Sequence, residues 1–423
     1  MTPISQRPLD PIGAKSCADS LDESLIRESP STEIRAEHVH IPTPGDHYSA
    51  ATGSAIMTII YEMARVHERH GGQTRVIVAR GSLHDYPVGQ CVEVDPTSPP
   101  VRWQKLFDVG LGRLGRSRRF GTAAYGPATR TLAAGFDGSI FVHNDPVAIP
   151  MLKGRLPKAT VCLWANNELF GTYSGRETYR IAAAADRLIC CSQYIANDLR
   201  SRLNGDSSLL GKVHVVHNGV DVHRFKPGVA MGSGEVPVIL FVGRVTPVKG
   251  PHLLLKAARA IASPGRRFKV RIVGSSGFSS TDPLTDYERE LRRLAEPIKQ
   301  SVEFVPFVNR QRVLEEYQAA SIFCVPSDWD DPCPLTVPEG LACGLPTVAS
   351  RRGGIPELGG DAILYFSPPD TETLGKHLNH LLDDGHERQR LGLRALQRAK
   401  CLSWTLSYQT LLKAIEPVCR TAN

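Results

Sequence analysis

Short apolar runs rich in β-branched residues recur along the chain. In the first half they fall at Glu37–Pro42, Arg75–Ala79, Cys91–Val94, Ser139–His143, Thr160–Trp164, Leu188–Cys191 and Val213–Val216, each of strand length. Stretches with helical periodicity, such as Ile56–Glu68, lie between most of them. The stretch 228–236, GVAMGSGEV, has linker composition, and the pattern then restarts. Val238–Val242, Lys269–Val273, Val302–Val305, Ile322–Val325, Thr347–Ala349 and Ile363–Phe366 are the second set of strands. Strands alternating with helices predict an α/β protein whose parallel sheets are covered on both faces. A chain of 423 residues is too long for one ordinary core and comfortable for two domains. Residues 1–33 are polar and rich in Ser, Pro and charge, which predicts a disordered leader.

Composition narrows the class. No run of about twenty apolar residues occurs, so no membrane-spanning helix is expected. Asp10, Asp19, Asp22 and Glu23 interrupt the N-terminus, which therefore does not read as a signal peptide. The ten cysteines form no CxxC pair, and Cys162, Cys190, Cys191 and Cys324 sit in apolar runs. They read as buried reduced thiols of a cytoplasmic protein. The formal charge of +7 is unevenly spread. Residues 101–130 hold Arg102, Lys105, Arg113, Arg116, Arg118, Arg119 and Arg130 against one acid, Asp108, which suggests an anionic partner.

Candidate chemistry concentrates at 321–358. The run Ser321–Pro326 is followed by an acidic loop, Asp328-Trp329-Asp330-Asp331, then Pro332-Cys333-Pro334 and a helix starting near Leu335. Gly344 and Pro346 end that helix. Gly353-Gly354 makes a second turn after the next strand. Asp331 and Glu339 frame the helix start, with seven residues between them. A helix N-terminus favours a phosphate, and carboxylates on either side accept from sugar hydroxyls. The arrangement suits a nucleotide sugar. Upstream, the strand Val238–Val242 ends in Gly243-Arg244, with Lys249-Gly250 following. Arg244 offers a planar fork of donors and Lys249 a point charge, both fit for a diphosphate.

These motifs resemble the signature of retaining glycosyltransferases of the GT-B fold, family 4. The resemblance covers about residues 36–410 and is strongest over 238–358. The family's usual Glu is Asp331 here, its frequent Phe-Gly is Cys333-Pro334, and its Gly-Gly loop matches Gly53-Ser54. The resemblance implies two Rossmann-like domains facing across a cleft: 34–227 on the acceptor side, 228–401 on the nucleotide-sugar side, and a closing helix at 402–423 that returns to the first domain. His217-Asn218-Gly219-Val220-Asp221 resembles the motif ending the first domain. By the same resemblance Arg244 and Lys249 stabilise the leaving diphosphate, and Leu335 and Thr336 offer it backbone N–H groups. Glu339 binds the ribose diol and Asp331 the transferred sugar. Gly243, Gly274 and Gly53 lie near the donor, Phe307 lies against the base, and His143 reaches the donor sugar or reaction centre. The implied chemistry retains the anomeric configuration, with a nucleotide sugar as co-substrate and no metal or other cofactor. UDP-sugars come first and GDP-mannose second.

Trp164–Glu168 follows a strand and reads first as a plain loop, although a strand end is also a place for an acceptor. Trp103, Leu106, Phe107, Leu111 and Leu114 recur at roughly helical spacing among the cations of 101–130, with Gly110, Gly112 and Gly115 working against a helix. A basic amphipathic segment of this kind can lie on an anionic membrane surface. That reading implies a peripheral membrane enzyme with a lipid-linked or lipopolysaccharide-type acceptor in surface polysaccharide assembly, and no nucleic-acid partner. Three alternatives remain open on sequence. They are a metal-dependent transferase using Asp328-Trp329-Asp330, a glycoside hydrolase using Asp331 and Glu339, and a non-catalytic binding or coat protein.

Overall fold

The computed structural model of the chain describes residues 37–98, 100–228, 236–277, 279 and 281–416. The expected leader at 1–33, and all but the two ends of the expected linker at 228–236, lie outside them. The first sheet contains β1 (Glu37–Ile41), β2 (Gln73–Ala79), β3 (Gln90–Val94), β4 (Ser139–His143), β5 (Thr160–Ala165), β6 (Arg187–Cys190) and β7 (Val213–Val215). The second contains β8 (Val238–Val242), β9 (Lys269–Val273), β10 (Val302–Val305), β11 (Ile322–Val325), β12 (Thr347–Ser350) and β13 (Ile363–Phe366). Their orders are β3-β2-β1-β4-β5-β6-β7 and β10-β9-β8-β11-β12-β13, with every pair parallel.

Both sheets are doubly wound. The strand order reverses between β1 and β4 in one and between β8 and β11 in the other. Ligands bind outside the carboxyl ends of strands at such reversals. β4, β11 and β12 are buried at every residue, as strands covered on both faces must be, whereas β3 and β10, at sheet edges, are only partly buried. The strands match the apolar runs to within a residue or two. β2 begins earlier than the run because Gln73 and Thr74, which carry no apolar signal, pair with Glu37 and His38.

The helix Ala55–Arg69 is capped by Ser54, whose side chain accepts from Met57 N–H at 3.4 Å. The last described helix, Trp404–Ile415, buries Trp404, Tyr408 and Leu411 at helical spacing against Ala55–Arg69 and β6. Val220 and Ser403 form an isolated β-bridge. Leu335, from the second half of the chain, packs into the same apolar cluster. The closing helix therefore ties the end of the chain to the first sheet.

Arg102–Arg113 is a helix, as the apolar spacing predicts, and its apolar side is bare. Trp103 is 61% exposed, Leu106 67%, Phe107 49% and, just beyond the helix, Leu114 74%. Asp108 is turned inward and accepts from the N–H groups of Phe120 and Gly121 at 3.1 and 2.8 Å. Arg118 departs from the expectation of a surface cation: it pairs with buried Glu177 at 2.7 Å and covers the Tyr173 ring at 3.6 Å. Cys162, Cys190, Cys191 and Cys324 are buried free thiols. Among the described residues no helix is long and apolar enough to cross a membrane.

Candidate functional site

Between the two sheets lies a cleft of about 420 Å³, lined by loops from the carboxyl ends of strands in both. On the second sheet's side, β8 runs into Gly243 and Arg244 and then a single helical turn, Pro247–Lys249. Gly250 ends that turn in the left-handed region, φ +71°, and a Cβ there would overlap the Pro326 carbonyl. Only glycine lets this turn press against the end of β11. The contact delivers Lys249 to the acidic loop, where Nζ lies 2.5 Å from Asp331 Oδ2. Trp329 stacks under the ammonium, 5.6 Å from ring centroid to Nζ. The Ser327 hydroxyl is 3.5 Å from the same carboxylate. Arg244 lines the cleft, exposed, and has no ion-pair partner among the described residues.

The second carboxylate is held differently. Glu339 lies in the helix Thr336–Ala342 and is buried. Arg310 donates to its Oε1 at 2.7 Å and the Tyr317 hydroxyl to its Oε2 at 3.1 Å. Both partners come from the loop and helix after β10, the helix Arg310–Gln318 being capped by Asn309. Burial works against the Arg310 charge, but the Glu339 carboxylate outweighs it and holds the guanidinium above its ordinary pKa. Burial, and then that carboxylate, push the Tyr317 phenol well above its usual range. Asp331 and Glu339 thus stand in one cleft, each with its own cation.

The first sheet supplies a wall of another character. Gly53, Ser54 and Thr58 come from the start of the helix Ala55–Arg69, Asn166 and Asn167 from the end of β5, and Asn218 from the loop after β7. Trp164–Glu168 runs from the end of β5 into a loop, as expected, and Asn166 and Asn167 of that loop line the cleft.

The structure brings together Arg244, Lys249, Asp331, Glu339, Leu335, Thr336, Gly243, Phe307 and Gly53 in this one cleft. It leaves out two expected site residues. His143 is buried in the layer between the first sheet and the helices Ala55–Arg69 and Trp404–Ile415, and does not line the cleft. Its Nε2 is 3.0 Å from His40 Nδ1, its ring stacks on Trp164 at 5.2 Å, and burial pushes its pKa down to about 3. The strand's alternation decides this, because His143 shares its face with Phe141, which belongs to that apolar layer. Gly274 does not reach the cleft either. With φ +133° and no room for a Cβ beside the Gly243 carbonyl, it lets the loops after β8 and β9 touch.

Arg310, Tyr317, Asn218 and Trp329 join the site without having been singled out. Their contribution depends on contacts across elements that the local pattern does not carry. Asp328 and Asp330 face apart, one 3.8 Å from His252 and the other accepting from Gly353 N–H at 3.2 Å. Among the described residues no group of three or more His, Cys, Asp or Glu could hold a metal ion.

With this geometry in hand, similarity to other proteins is specific. The family model for glycosyl transferases group 1 matches residues 230–398, and that for glycosyltransferase family 4 matches residues 56–224. The spore coat protein SA of Bacillus subtilis (strain 168) is 28% identical, over 66% of this chain and 78% of that protein. D-inositol 3-phosphate glycosyltransferase 2 of Catenulispora acidiphila is 32% identical over 60% of each chain, so the match leaves part of that relative uncovered. The Anabaena protein Alr3699/HepE, solved in complex with UDP, superposes with a TM-score of 0.67 at 16% identity, over 90% of this chain and 99% of that one. Two doubly wound parallel sheets, a cleft between them that holds the paired carboxylates, and a family match on each half place the chain among the group 1, family 4 glycosyltransferases of the GT-B fold.

Proposed function

We propose that the protein is a retaining hexosyltransferase that moves a hexose from a nucleotide sugar, a UDP-sugar ahead of GDP-mannose, to a lipid-linked saccharide or lipopolysaccharide-type acceptor in surface polysaccharide biosynthesis. The observation that carries the transferase reading is the disposition of charge in the cleft. Glu339 is fixed by Arg310 and Tyr317, Asp331 is held by Lys249, and Arg244 faces the same space with no ion pair among the described residues. Breaking a glycosyl–diphosphate bond develops negative charge on the leaving group, and cations already in place stabilise that charge most where water is excluded.

Arg244 and Lys249 take that role, with the N–H groups of Leu335 and Thr336 at the helix start. Glu339 accepts from the ribose diol and Asp331 from hydroxyls of the transferred sugar. Phe307 lies against the base. The two cations perform the charge neutralisation that a divalent ion would otherwise supply, so the reaction needs no metal. A complex of Alr3699/HepE with UDP-glucose supports a UDP-sugar as donor. The bare apolar side of Arg102–Arg113, ringed by Arg102, Lys105, Arg113 and Arg116, supports work on the cytoplasmic face of an anionic membrane. A non-catalytic coat role has the name of the Bacillus relative in its favour, but it leaves the five charged cleft residues without a task.

The test is a panel of UDP- and GDP-sugars, read by thermal shift and by donor hydrolysis with and without EDTA. A UDP-sugar should raise the melting temperature, and hydrolysis should survive chelation. A panel without any shift would favour the coat reading. Loss on EDTA, restored by Mn²⁺, would move the chemistry to Asp328 and Asp330.

A further inference from the structure

The two walls of the cleft differ in charge. Arg244, Lys249, Arg310, Asp331 and Glu339 all stand on the second sheet's side. The polar side chains that the first sheet brings are uncharged, and its hydroxyls are already engaged. Ser54 Oγ donates to Asp46 Oδ2 at 2.9 Å, and Thr58 Oγ1 donates to the Ser54 carbonyl at 3.1 Å.

The amides are not engaged in the same way. Asn166 keeps both Nδ2 and Oδ1 out of solvent without a partner among the described residues. Asn218, 4% exposed, donates from Nδ2 to the Cys333 carbonyl at 2.8 Å and leaves Oδ1 buried and, among the described residues, unpaired. Buried amide atoms are seldom left so unless something else completes them. Nor is the Asn166 loop loose. Its backbone N–H donates to Asn144 Oδ1 at 2.7 Å, and Asn144 N–H donates to the Trp164 carbonyl at 2.9 Å. Asn144 reaches both from φ +58°. The backbone bonds fix the loop and leave the side-chain amide for a ligand.

We infer that Asn166 and Asn218 receive the hydroxyl groups of the acceptor, and that the part of the acceptor entering the cleft is an uncharged polyhydroxyl compound, a saccharide or cyclitol bearing no phosphate there. This rests on the transferase reading and deepens it. A hydroxyl both donates and accepts, and so matches an amide's N–H and C=O together. A phosphate monoester only accepts. It would meet two unpaired carbonyl oxygens against the single amide Nδ2 of Asn166, and no cation on this wall, while the donor's diphosphate occupies the cations opposite. Its desolvation would go uncompensated. Any phosphate on the acceptor then lies outside the cleft.

The experiment titrates the UDP-bound protein by saturation-transfer NMR with methyl glucoside, N-acetylglucosamine, myo-inositol and the phosphate monoesters of the same compounds. UDP-glucose and GDP-mannose binding is measured in parallel. A neutral compound should bind, and its monoester should bind roughly tenfold or more weakly. Asn166→Ala should weaken the neutral compound by about tenfold or more, the loss of one buried hydrogen-bonding group, with UDP affinity retained as the sign of an intact fold. Asn167→Arg should narrow the preference against the monoester. Tighter binding of monoesters, no binding by any neutral compound, or equal binding by wild type and Asn166→Ala would overturn the inference while leaving the donor reading standing. Failure to bind either nucleotide sugar would instead sink the donor reading, and this inference with it.

Discussion

Arg244 and Lys249 lie on one loop and differ in what they hold. Lys249 is tied to buried Asp331, whereas Arg244 is exposed without an ion pair among the described residues. Their substitutions should therefore separate catalysis from stability. Arg244→Ala should lower turnover at saturating donor by on the order of 3 kcal/mol, the scale of one lost charge-stabilising donor. Its unfolding free energy should stay within about 0.5 kcal/mol of wild type, as for surface changes that remove no contact. Lys249→Ala should lower turnover similarly and also destabilise the fold by about 3 kcal/mol, because Asp331 is left buried without its counter-ion. Urea unfolding and single-turnover rates on both variants decide this. Wild-type turnover in both would remove the pair from the site.

At the scale of elements, the first sheet and its covering helices share a layer of buried imidazoles. His38 and His40 point to the same face of β1, His143 joins them from β4, and His67 comes from the helix Ala55–Arg69. His38 stacks on His67 at 3.7 Å, and His67 Nδ1 is 2.6 Å from the Tyr408 hydroxyl of the closing helix. Burial lowers the pKa of His38, His40 and His143, for His38 and His40 with help from neighbouring histidines. These three groups are neutral in the fold and titrate near 6.5 once unfolded. The unfolded chain therefore binds more protons below that pH. Their contribution to stability is fully present above about 6.5 and declines as pH falls toward the folded value, by up to about 1.4 kcal/mol per pH unit for each histidine. Urea unfolding at pH 7.5, 6.5 and 5.5 should show the decline. For His143→Asn the stability gap from wild type should shrink with falling pH. A gap constant across that range would mean that His143 takes up its proton alike in the native and unfolded chain, and a widening gap that it is charged in the native protein.

For the whole molecule, the question is where the acceptor is met. The exposed Trp103, Leu106, Phe107 and Leu114 form an apolar surface on the first half of the chain, among exposed arginines. Sedimentation with vesicles containing anionic lipid should carry the protein down at low salt and release it at high salt, since surface attraction is screened. Changing Arg113, Arg116 and Arg119 to Glu should abolish binding without loss of fold. Arg118 is the wrong choice for that test, because its pairing with Glu177 holds the segment to the helix Gly175–Ala184. Protein left in the supernatant at low salt would point to a soluble acceptor.

The local pattern by itself determined the two sets of strands, their parallel pairing and the motifs that meet in the cleft. Buried parallel strands must be continuous apolar runs, and the Gly-Arg, Lys-Gly and paired-carboxylate motifs are contiguous in sequence. Only the tertiary structure decided which side chains share the cleft. Arg310 and Tyr317 meet Glu339 through a helix packed on β8, and Asn218 reaches the cleft from a loop of the other sheet. His143 went the other way. Its position at a strand end suggested the site, but whether its ring faces the cleft or the helix layer depends on what covers each side of the sheet. The bare face of Arg102–Arg113 is the same kind of outcome. Helical spacing shows that the residues share a side, and only packing shows that, among the described residues, little beyond the Phe120 ring touches it.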